Sequence, residues 1–313
     1  MNRKVRAYIG IIFVNIMWGL SFIGSKRSMA AGLQPFSLVM LRFAVATVFV
    51  FSIALLRKDS LKIRLRDLPL IAVTSLSGVT VYFYFELNGL KAMSAATAAL
   101  IIASIPVLTM LYNYLFRKTR QPLTVWICAL ISLAGVYMVV TQDGGKDTLK
   151  GALLVFCACI CWVIYMESSN VLLKRYSSLN LTCWQSVISL ITAAPLAFCE
   201  GVKWKSVSAD GWLWACVFLG LICSGICYIL YNNSIRLLDT VQTAVFLNLN
   251  PLATVVGGIL FLNEKLNAVQ YVGGAILLIS LLIMASNKKI KETGFTIRGF
   301  CGIMIKKFRR KSS

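Results

Sequence analysis

The sequence predicts an all-α integral membrane protein, with ten transmembrane helices arranged as two inverted five-helix repeats. Three observations carry this prediction. The 313 residues are 58% hydrophobic and only 14% charged, with a mean hydropathy of +0.79, whereas a soluble chain of ordinary composition is far more polar. Apolar runs of about 20 residues recur along the whole chain. The two halves of the chain also repeat each other's pattern at a nearly constant offset.

The apolar runs define the predicted spans. A helix needs about 20 predominantly apolar residues to cross a bilayer core of roughly 30 Å, whereas barrel strands show about ten residues of alternating hydrophobicity. The runs in this chain are long and continuous, which favours helices. In order they cover approximately residues 7–25, 35–56, 68–90, 93–116, 122–141, 151–172, 179–199, 211–232, 241–262 and 266–286.

The first span follows the basic segment MNRKVR and resembles the start of a cleaved signal peptide, with MAAG as the processing site. The nine apolar runs that follow favour a retained first helix instead. Trp18 lies eleven residues into this span and Trp162 eleven residues into the sixth, so both lie near the membrane centre at about 1.5 Å per residue. They align at an offset of 144.

The second and third spans each carry a charge. Arg42 lies seven residues, roughly 10 Å, from Pro35 at the outer end of its helix. Its side chain leans toward that end, so it either snorkels to the interface or pairs within the membrane. Glu86 lies about four residues from the outer end of the third span. Because pairing lowers the cost of a desolvated charge, we predict a conditional Arg42–Glu86 ion pair near the external gate.

Prolines and polar residues interrupt the fourth and ninth spans near their middles. They are Ser104 and Pro106 in the fourth, and Asn248, Asn250 and Pro251 in the ninth. A proline inside a helix removes one backbone hydrogen bond, which lipid tolerates only where protein or water satisfies the freed group. The pattern therefore predicts a central, water-accessible cavity. The alternative is a packing kink whose asparagines bond neighbouring helices.

The same central zone is rich in aromatic residues. Their rings either form cavity walls that stack on a solute or belong to the interfacial belts that flank a membrane protein. The residues concerned are Tyr82, Tyr84, Trp162, Tyr165, Tyr228 and Tyr231.

The repeat is clearest where residues 96–116 align with 241–261, an offset of 145 that places Pro106 on Pro251. We predict a first repeat over residues 1–145 and a second over 146–287. Five helices is an odd number, so the second copy crosses the membrane in the opposite sense. Inverted repeats of this kind are typical of alternating-access transporters, whose site lies near the midplane between the copies. Duplication that merely enlarges a helix bundle is the alternative.

The basic residues are unevenly distributed. If the N-terminus is cytoplasmic, 23 of the 32 Lys and Arg residues lie on the cytoplasmic side, eight lie on the other side, and Arg42 lies within a span. This bias follows the positive-inside rule and explains the net charge of +21 without a nucleic-acid partner. Both termini are therefore predicted to be cytoplasmic. The basic tail, residues 288–313, either lies on the anionic inner leaflet or is a disordered, topology-fixing segment.

Catalytic and metal sites are not predicted. The chain has no histidine, and Cys157, Cys159 and Cys161 in CACIC spread around a helix instead of converging. Glu167, near Lys174 and Arg175, reads as an ordinary boundary charge. No nucleophile set or P-loop motif is visible, which argues against an enzyme, a cofactor and ATP-driven transport.

Several motifs resemble the drug/metabolite transporter superfamily, and its EamA-like branch in particular. They are MWGLSF in the first span, PFSLVMLRF opening the second, IPVL and NPLA in the fourth and ninth, and FLNEKLNAVQYVGGAILLIS before the tenth. One departure is that FRKTRQP stands where the second half has FLNEKLN, so Glu264 has no acidic counterpart. The resemblance covers residues 7–286.

This resemblance implies a fold and a function. It implies that helices 1, 3, 4, 6, 8 and 9 surround the transport pathway, which favours Asn15, Trp18, Tyr82, Glu86, Trp162, Tyr228, Asn232 and Asn248 as cavity residues.

The function implied is secondary transport or facilitation that exports amino acids or related amphipathic metabolites across the cytoplasmic (inner) membrane. The expected partners are a small-molecule substrate and membrane lipid, with the chain acting as a monomer. A multidrug exporter is the alternative within transport. A membrane-embedded enzyme or lipid-handling protein is the alternative from another class.

Overall fold

The structure is a computed structural model that describes residues 3–118, 123–140, 148–201, 207–238, 240–247, 249–263 and 266–286. Asn248, Glu264 and the basic tail lie outside these ranges. Every regular element in the described residues is helical, which confirms the all-α prediction.

Helices cover all five spans predicted in the first half. The third begins with a 3₁₀ turn and the fourth has two segments. The helices are α1 (Arg3–Ala30), α2 (Pro35–Leu56), α3 (Leu65–Lys91), α4 (Ala95–Ile102 and Ile105–Arg117) and α5 (Leu123–Val140).

The second half repeats this order. Its fourth helix again has two segments. The helices are α6 (Thr148–Leu172), α7 (Ser178–Cys199), α8 (Ala209–Leu238), α9 (Thr240–Phe246 and Leu249–Leu262) and α10 (Ala268–Ser286).

Eight helices of the described chain, α1–α4 and α6–α9, are long and apolar enough to cross a membrane, and α10 contains a shorter apolar stretch. Many large apolar side chains of the bundle are exposed, including Val48, Leu130 and Phe198. Exposed apolar surface of this extent fits a lipid-facing exterior. The predicted integral membrane fold is confirmed.

Contacts between the two repeats dominate the packing. Helix α2 packs against α7 and α8, α1 against α8 and α9, and α3 against α6, while α5 and α10 pack on each other. A two-fold relation that exchanges α1 with α6 and α3 with α8 converts the α3–α6 contact into the α8–α1 contact. The repeats are therefore interleaved, and their interface runs through the centre of the bundle.

The breaks in α4 and α9 occur at equivalent places. Pro106 lies in the first turn of the second segment of α4, where its missing N–H costs least. Around the breaks, the N–H of Ser104 donates to the carbonyl of Ile101, and the N–H of Asn250 donates to the carbonyl of Leu247, both at 2.9 Å. The chain thus satisfies its backbone with short-range bonds where the α-helical pattern stops.

Two π-helical stretches also correspond between the repeats, Leu76–Thr80 in α3 and Leu213–Ile226 in α8. A π-turn widens the helix and is frequent at functional sites. Here the α3 stretch turns the carbonyl of Gly78 toward α8, where it accepts a hydrogen bond from the Tyr228 hydroxyl at 2.9 Å.

Candidate functional site

A cavity of about 30 Å³ lies between the two repeats. Its wall is formed by α1, α2, α3, α4, α6, α8 and α9, so both repeats contribute to it. The sequence-predicted residues that line it are Trp18, Arg42, Tyr82, Glu86, Trp162, Tyr228 and Asn250.

The aromatic base of the cavity is formed by Trp18, Trp162 and Tyr228. Tyr231 does not line the cavity but packs on both tryptophans and completes the aromatic layer. The ring centre of Trp18 lies 5.1 Å from Trp162, 5.5 Å from Tyr228 and 4.7 Å from Tyr231. The indole N–H of Trp18 donates to the carbonyl of Cys223, and that of Trp162 to the Tyr231 hydroxyl, each at 3.0 Å. Because the buried indole N–H groups are satisfied, the layer joins α1, α6 and α8 as one unit.

Most of the central aromatic residues are interior residues and do not form an interfacial belt. Tyr82, Trp162, Tyr165, Tyr228 and Tyr231 are all buried.

Tyr84 differs, since 44% of it is exposed. It stacks on Phe36 at 5.7 Å between ring centres. The belt interpretation therefore fits Tyr84 alone among the six predicted aromatic residues.

Arg42 does not snorkel to the surface, because only 1% of it is exposed. Its Nε–H donates to the Ser224 hydroxyl at 2.8 Å, and its guanidinium carbon lies 4.3 Å from the ring centre of Phe83. The Nη1 atom is buried and has no hydrogen-bond partner. The guanidinium is thus held from one side by a neutral hydroxyl and an aromatic face.

Glu86 lines the same cavity from α3 and is 5% exposed. One of its oxygens accepts a hydrogen bond from the Tyr82 hydroxyl, one helical turn earlier, at 3.3 Å. Among the described residues, no ion pair within 4.0 Å joins it to Arg42. The structure therefore brings the two charges to one cavity without direct contact, and their conditional pair stays a prediction.

Asn232 is predicted for the cavity, but it lies in a polar network beside the aromatic layer. Its amide oxygen accepts from the Tyr165 hydroxyl at 2.9 Å, and its amide nitrogen donates to Thr182 at 2.9 Å and Gln185 at 3.0 Å. These bonds join α6, α7 and α8. A buried amide so fully satisfied is a packing element, and it is not part of the cavity wall.

Four other predicted residues also lie outside the wall. Asn15 is fully buried in α1 and donates to the carbonyl of Ile11 at 2.6 Å. Ser104, Pro106 and Pro251 are buried at the two helix breaks. They shape the cavity by interrupting α4 and α9, while the residues beside them face it. Asn248 lies outside the described residues.

Sequence reasoning missed part of the wall. The repeat offset of 145 pairs Ile102 with Leu247 and Ile105 with Asn250. This pairing could have predicted that the residues beside the two breaks line the cavity. The additional lining residues are Ser21, Phe22, Phe83, Ile102, Ile105 and Leu247. Ser224, which holds Arg42, had no such signal, because nothing in its local sequence marks it as a partner of α2.

The two ends of the bundle differ in how tightly the repeats are joined. We call the end where α1 begins the N-terminal side, and the end where residues 31–34 connect α1 to α2 the first-loop side. On the N-terminal side, Asp67 bonds the guanidinium of Arg175 and the hydroxyl of Tyr176, both at 2.6 Å. Asp67 is 8% exposed, so this contact is partly desolvated.

A second ion pair closes the same side. Glu167 is 3% exposed; the Arg117 guanidinium lies 2.5 Å from one of its oxygens, and the Asn113 amide donates to the other at 3.2 Å. The interpretation of Glu167 as a boundary charge near Lys174 and Arg175 is thus wrong, because α6 directs it toward α4.

The first-loop side has one longer ion pair and one carboxylate cap. Arg27 lies 3.7 Å from Asp210, with side chains 36% and 53% exposed, and it also donates to the carbonyl of Phe261 at 3.0 Å. Glu200 at the end of α7 accepts from the backbone N–H groups of Phe36 and Ser37, at 2.9 and 2.8 Å. The carboxylate thereby caps the N-terminus of α2, where a negative charge is favoured.

The described residues hold no group of three His, Cys, Asp or Glu side chains that could bind a metal ion. Cys157, Cys159 and Cys161 are free thiols on α6.

Comparison with known proteins identifies the family. The model of the EamA-like transporter family matches residues 5–141 and again residues 149–286. The chain belongs to the EamA-like transporter family. Each match spans five of the ten helices. Because the family and the relatives are transporters, this multi-pass membrane protein is a transporter and not an enzyme, as the sequence predicts.

Individual relatives agree with this assignment. The uncharacterized transporter YcxC of Bacillus subtilis (strain 168) is 25% identical over 305 residues, 94% of this chain and 97% of that one. A "Probable terminal-alkyne amino-acid exporter" of Streptantibioticus cattleyicolor is 26% identical over 216 residues, 68% of this chain and 71% of the exporter. One crystal structure of a protein matches with a TM-score of 0.68 at 19% identity, covering 91% of this chain and 99% of that chain, and has the same fold.

Proposed function

We propose that this EamA-family protein is a secondary transporter or facilitator that exports amino acids or related amphipathic metabolites by alternating access. The observation that carries the proposal is the buried cavity between the interleaved repeats, with a cation, a carboxylate and an aromatic base. Groups of this kind are expensive in a membrane interior and mark substrate pathways. The amino-acid exporter of Streptantibioticus cattleyicolor supports the substrate class.

The proposed transport cycle rocks the repeats, residues 1–145 and 146–287, about the cavity. Two ion pairs with buried carboxylates join the repeats on the N-terminal side, whereas the Arg27–Asp210 pair on the first-loop side is longer and its carboxylate is exposed. This asymmetry supports a state closed toward the N-terminal side. The Arg42–Glu86 pair forms conditionally when the external gate closes.

The proposed setting is the cytoplasmic (inner) membrane, with both termini in the cytoplasm and the first-loop side external. The bias of Lys and Arg supports this orientation. One chain encloses the cavity, which supports action as a monomer on a small-molecule substrate.

The test is solute counterflow in proteoliposomes of the purified protein, with and without an imposed pH gradient. Amino acids, nucleosides, sugars and cationic drugs form the panel. We expect accumulation of labelled amino acid against preloaded unlabelled solute, and a pH gradient that changes the rate would identify proton coupling. Folded protein that moves no member of the panel would contradict the proposal.

A multidrug exporter is the second candidate. The aromatic base and the carboxylate of Glu86 favour it, because such groups attract planar cations. In the same counterflow panel this function predicts uptake of several unrelated cationic drugs and no preference for amino acids.

A further inference from the structure

The loop that joins α2 to α3 presents a cluster of exposed cations on the N-terminal side of the bundle. Residues 58–66 of this loop carry one exposed acidic side chain, Asp59. Within the described residues, no ion pair neutralises the loop's basic side chains. These exposed basic residues are Lys58, Lys62, Arg64 and Arg66. We call residues 58–66 the basic loop; its four cations outnumber its single anion.

The middle of the basic loop is fixed to the second repeat by hydrogen bonds to its backbone. The indole N–H of Trp184 on α7 donates to the carbonyl of Leu61 at 2.9 Å. The side-chain amide of Asn180, also on α7, donates to the carbonyls of Ser60 at 2.9 Å and Lys62 at 3.2 Å. Because these bonds order the segment before any ligand arrives, binding costs less conformational entropy.

Side chains along residues 61–64 alternate between two faces, as in an extended segment. Leu61 and Ile63 pack against the apolar core of the bundle. Lys62 and Arg64 are exposed on the opposite face, and the backbone N–H of Arg64 donates to the Tyr176 hydroxyl at 3.1 Å. The alternation therefore directs these two cations away from the bundle together.

The basic loop lies at the boundary between hydrocarbon and lipid headgroups. Helix α2 has 22 residues, which at about 1.5 Å per residue span roughly 33 Å, and a bilayer core is about 30 Å thick. The last residue of α2, Leu56, is 85% exposed, and Leu65 near the end of the loop is 83% exposed. Exposed leucines beside exposed cations fit a surface that meets acyl chains and headgroups together.

We propose that the basic loop binds an anionic phospholipid, with the headgroup phosphate on Lys62 and Arg64 and the acyl chains beside Leu56 and Leu65. Residues two apart in an extended segment are separated by roughly 6.6 Å, so both long side chains can reach one phosphate. Basic clusters next to transmembrane helices attract anionic lipids, and each cation strengthens the attraction roughly fivefold. In the orientation proposed above, the loop faces the cytoplasmic leaflet.

The experiment measures how lipids shift the melting temperature of the purified full chain in an uncharged detergent. We expect phosphatidylglycerol to raise it by several degrees, because a ligand that binds only the folded state stabilises that state. Phosphatidylcholine with the same acyl chains, and glycerol 3-phosphate without acyl chains, are each expected to raise it less than half as much. The rise should shrink when NaCl increases from about 0.05 to 0.5 M, because salt screens exposed charges.

Matched variants locate the binding. Lys62→Gln combined with Arg64→Gln is expected to raise the half-maximal phosphatidylglycerol concentration at least tenfold. The charge-conserving pair Lys62→Arg and Arg64→Lys is expected to keep it within threefold of the wild-type value. The control combines Lys91→Gln with Lys150→Gln, two exposed cations on the first-loop side, and leaves it unchanged. The basic tail, residues 288–313, is present in every protein compared, so its charges affect all of them equally.

Several results would overturn the proposal. Equal rises with phosphatidylglycerol and phosphatidylcholine would show that the headgroup charge is not recognised, and a rise that glycerol 3-phosphate reproduces would assign the loop to free phosphate. A Lys62→Gln, Arg64→Gln variant that melts like wild type without lipid and keeps the full phosphatidylglycerol response would place the site elsewhere. Counterflow tests the transport proposal separately, so either proposal can fail without the other.

Discussion

Arg42 and Glu86 determine the charge of the cavity at the residue scale. Each is almost fully buried, and each is held by one neutral neighbour, Ser224 for the arginine and Tyr82 for the glutamate. Two opposite charges that face one small space interact strongly even without contact, because the surrounding dielectric is low. Removing either one therefore changes the energy of the other.

We predict that Arg42→Ala and Glu86→Ala are non-additive. Each single variant leaves a buried uncompensated charge, which costs about 3–5 kcal/mol, whereas the double variant leaves none. Counterflow rates should fall at least tenfold in each single variant, and the double variant should be no slower than the slower single one. Additive losses on a logarithmic scale would contradict the pairing.

The matched control combines Glu86→Ala with Arg57→Ala. Arg57 is an exposed cation just after the C-terminal end of α2, so its loss should add nothing beyond the effect of Glu86→Ala. Size-exclusion profiles of all variants verify that the proteins are folded.

At this scale the sequence predicted which residues lie at one level of the bundle better than it predicted their hydrogen-bond and ion-pair partners. Trp18 and Trp162 were predicted to lie near the middle, and their rings meet at 5.1 Å. Helical rise alone fixes depth. Partners such as Ser224 for Arg42 and Arg117 for Glu167 depend on how helices rotate and cross, which apolar composition does not specify. For the same reason Asn232 was expected in the cavity and instead bonds α6, α7 and α8 together.

At the scale of the elements, the crossing of α3 and α6 places Glu86. Gly89 lies one turn beyond Glu86, and a Cβ atom at this position would lie 2.6 Å from Val155 and 2.8 Å from the carbonyl oxygen of Gly151. Small residues permit such close approach of helices in membranes. The two glycines thus set the spacing of α3 and α6 beside the cavity.

We predict that Gly89→Ala forces these helices apart. The carbonyl of Gly151 is backbone and cannot move aside, so overpacking should cost about 1–3 kcal/mol. The melting temperature of the purified protein should fall by several degrees. Gly10→Ala is the control, because its added methyl would lie 3.6 Å from Leu230 in ordinary contact. Equal melting temperatures for the two variants would contradict the close crossing.

The sequence predicted which elements exist but not all of their geometry. Hydropathy indicates which residues can lie in the hydrocarbon core, but it does not indicate where a helix begins or ends. The first span was therefore expected over 7–25, whereas α1 runs Arg3–Ala30 and has basic residues near both of its ends. The proline breaks were predictable because a missing N–H has a fixed consequence. The π-helical stretches could not be predicted, because a helix with a wider π-turn has the same apolar composition as a regular α-helix.

At the scale of the whole molecule, equivalent contacts on the two faces differ in strength. Asp67 and Asp210 occupy corresponding places at the start of α3 and α8, and each faces an arginine at the end of the other repeat's first helix. The Asp67–Arg175 contact is 2.6 Å long with its carboxylate buried, and the Asp210–Arg27 contact is 3.7 Å long and exposed. In the proposed rocking cycle, the shorter contact with the buried carboxylate would hold the N-terminal side closed.

We therefore predict that Asp67→Asn opens the N-terminal side and that Asp210→Asn does not. Losing a partly buried, doubly bonded carboxylate shifts the conformational equilibrium by about 1–2 kcal/mol, or 5- to 30-fold, whereas an exposed pair is worth about 0–1 kcal/mol. The reporter is Ile235→Cys in a chain whose native cysteines are replaced, because Ile235 is 1% exposed and borders the cleft on the N-terminal side. Labelling of this cysteine by a hydrophilic maleimide in nanodiscs should accelerate at least fivefold with Asp67→Asn and less than that with Asp210→Asn. Equal labelling rates in the two variants would show that the buried contact does not hold this face closed.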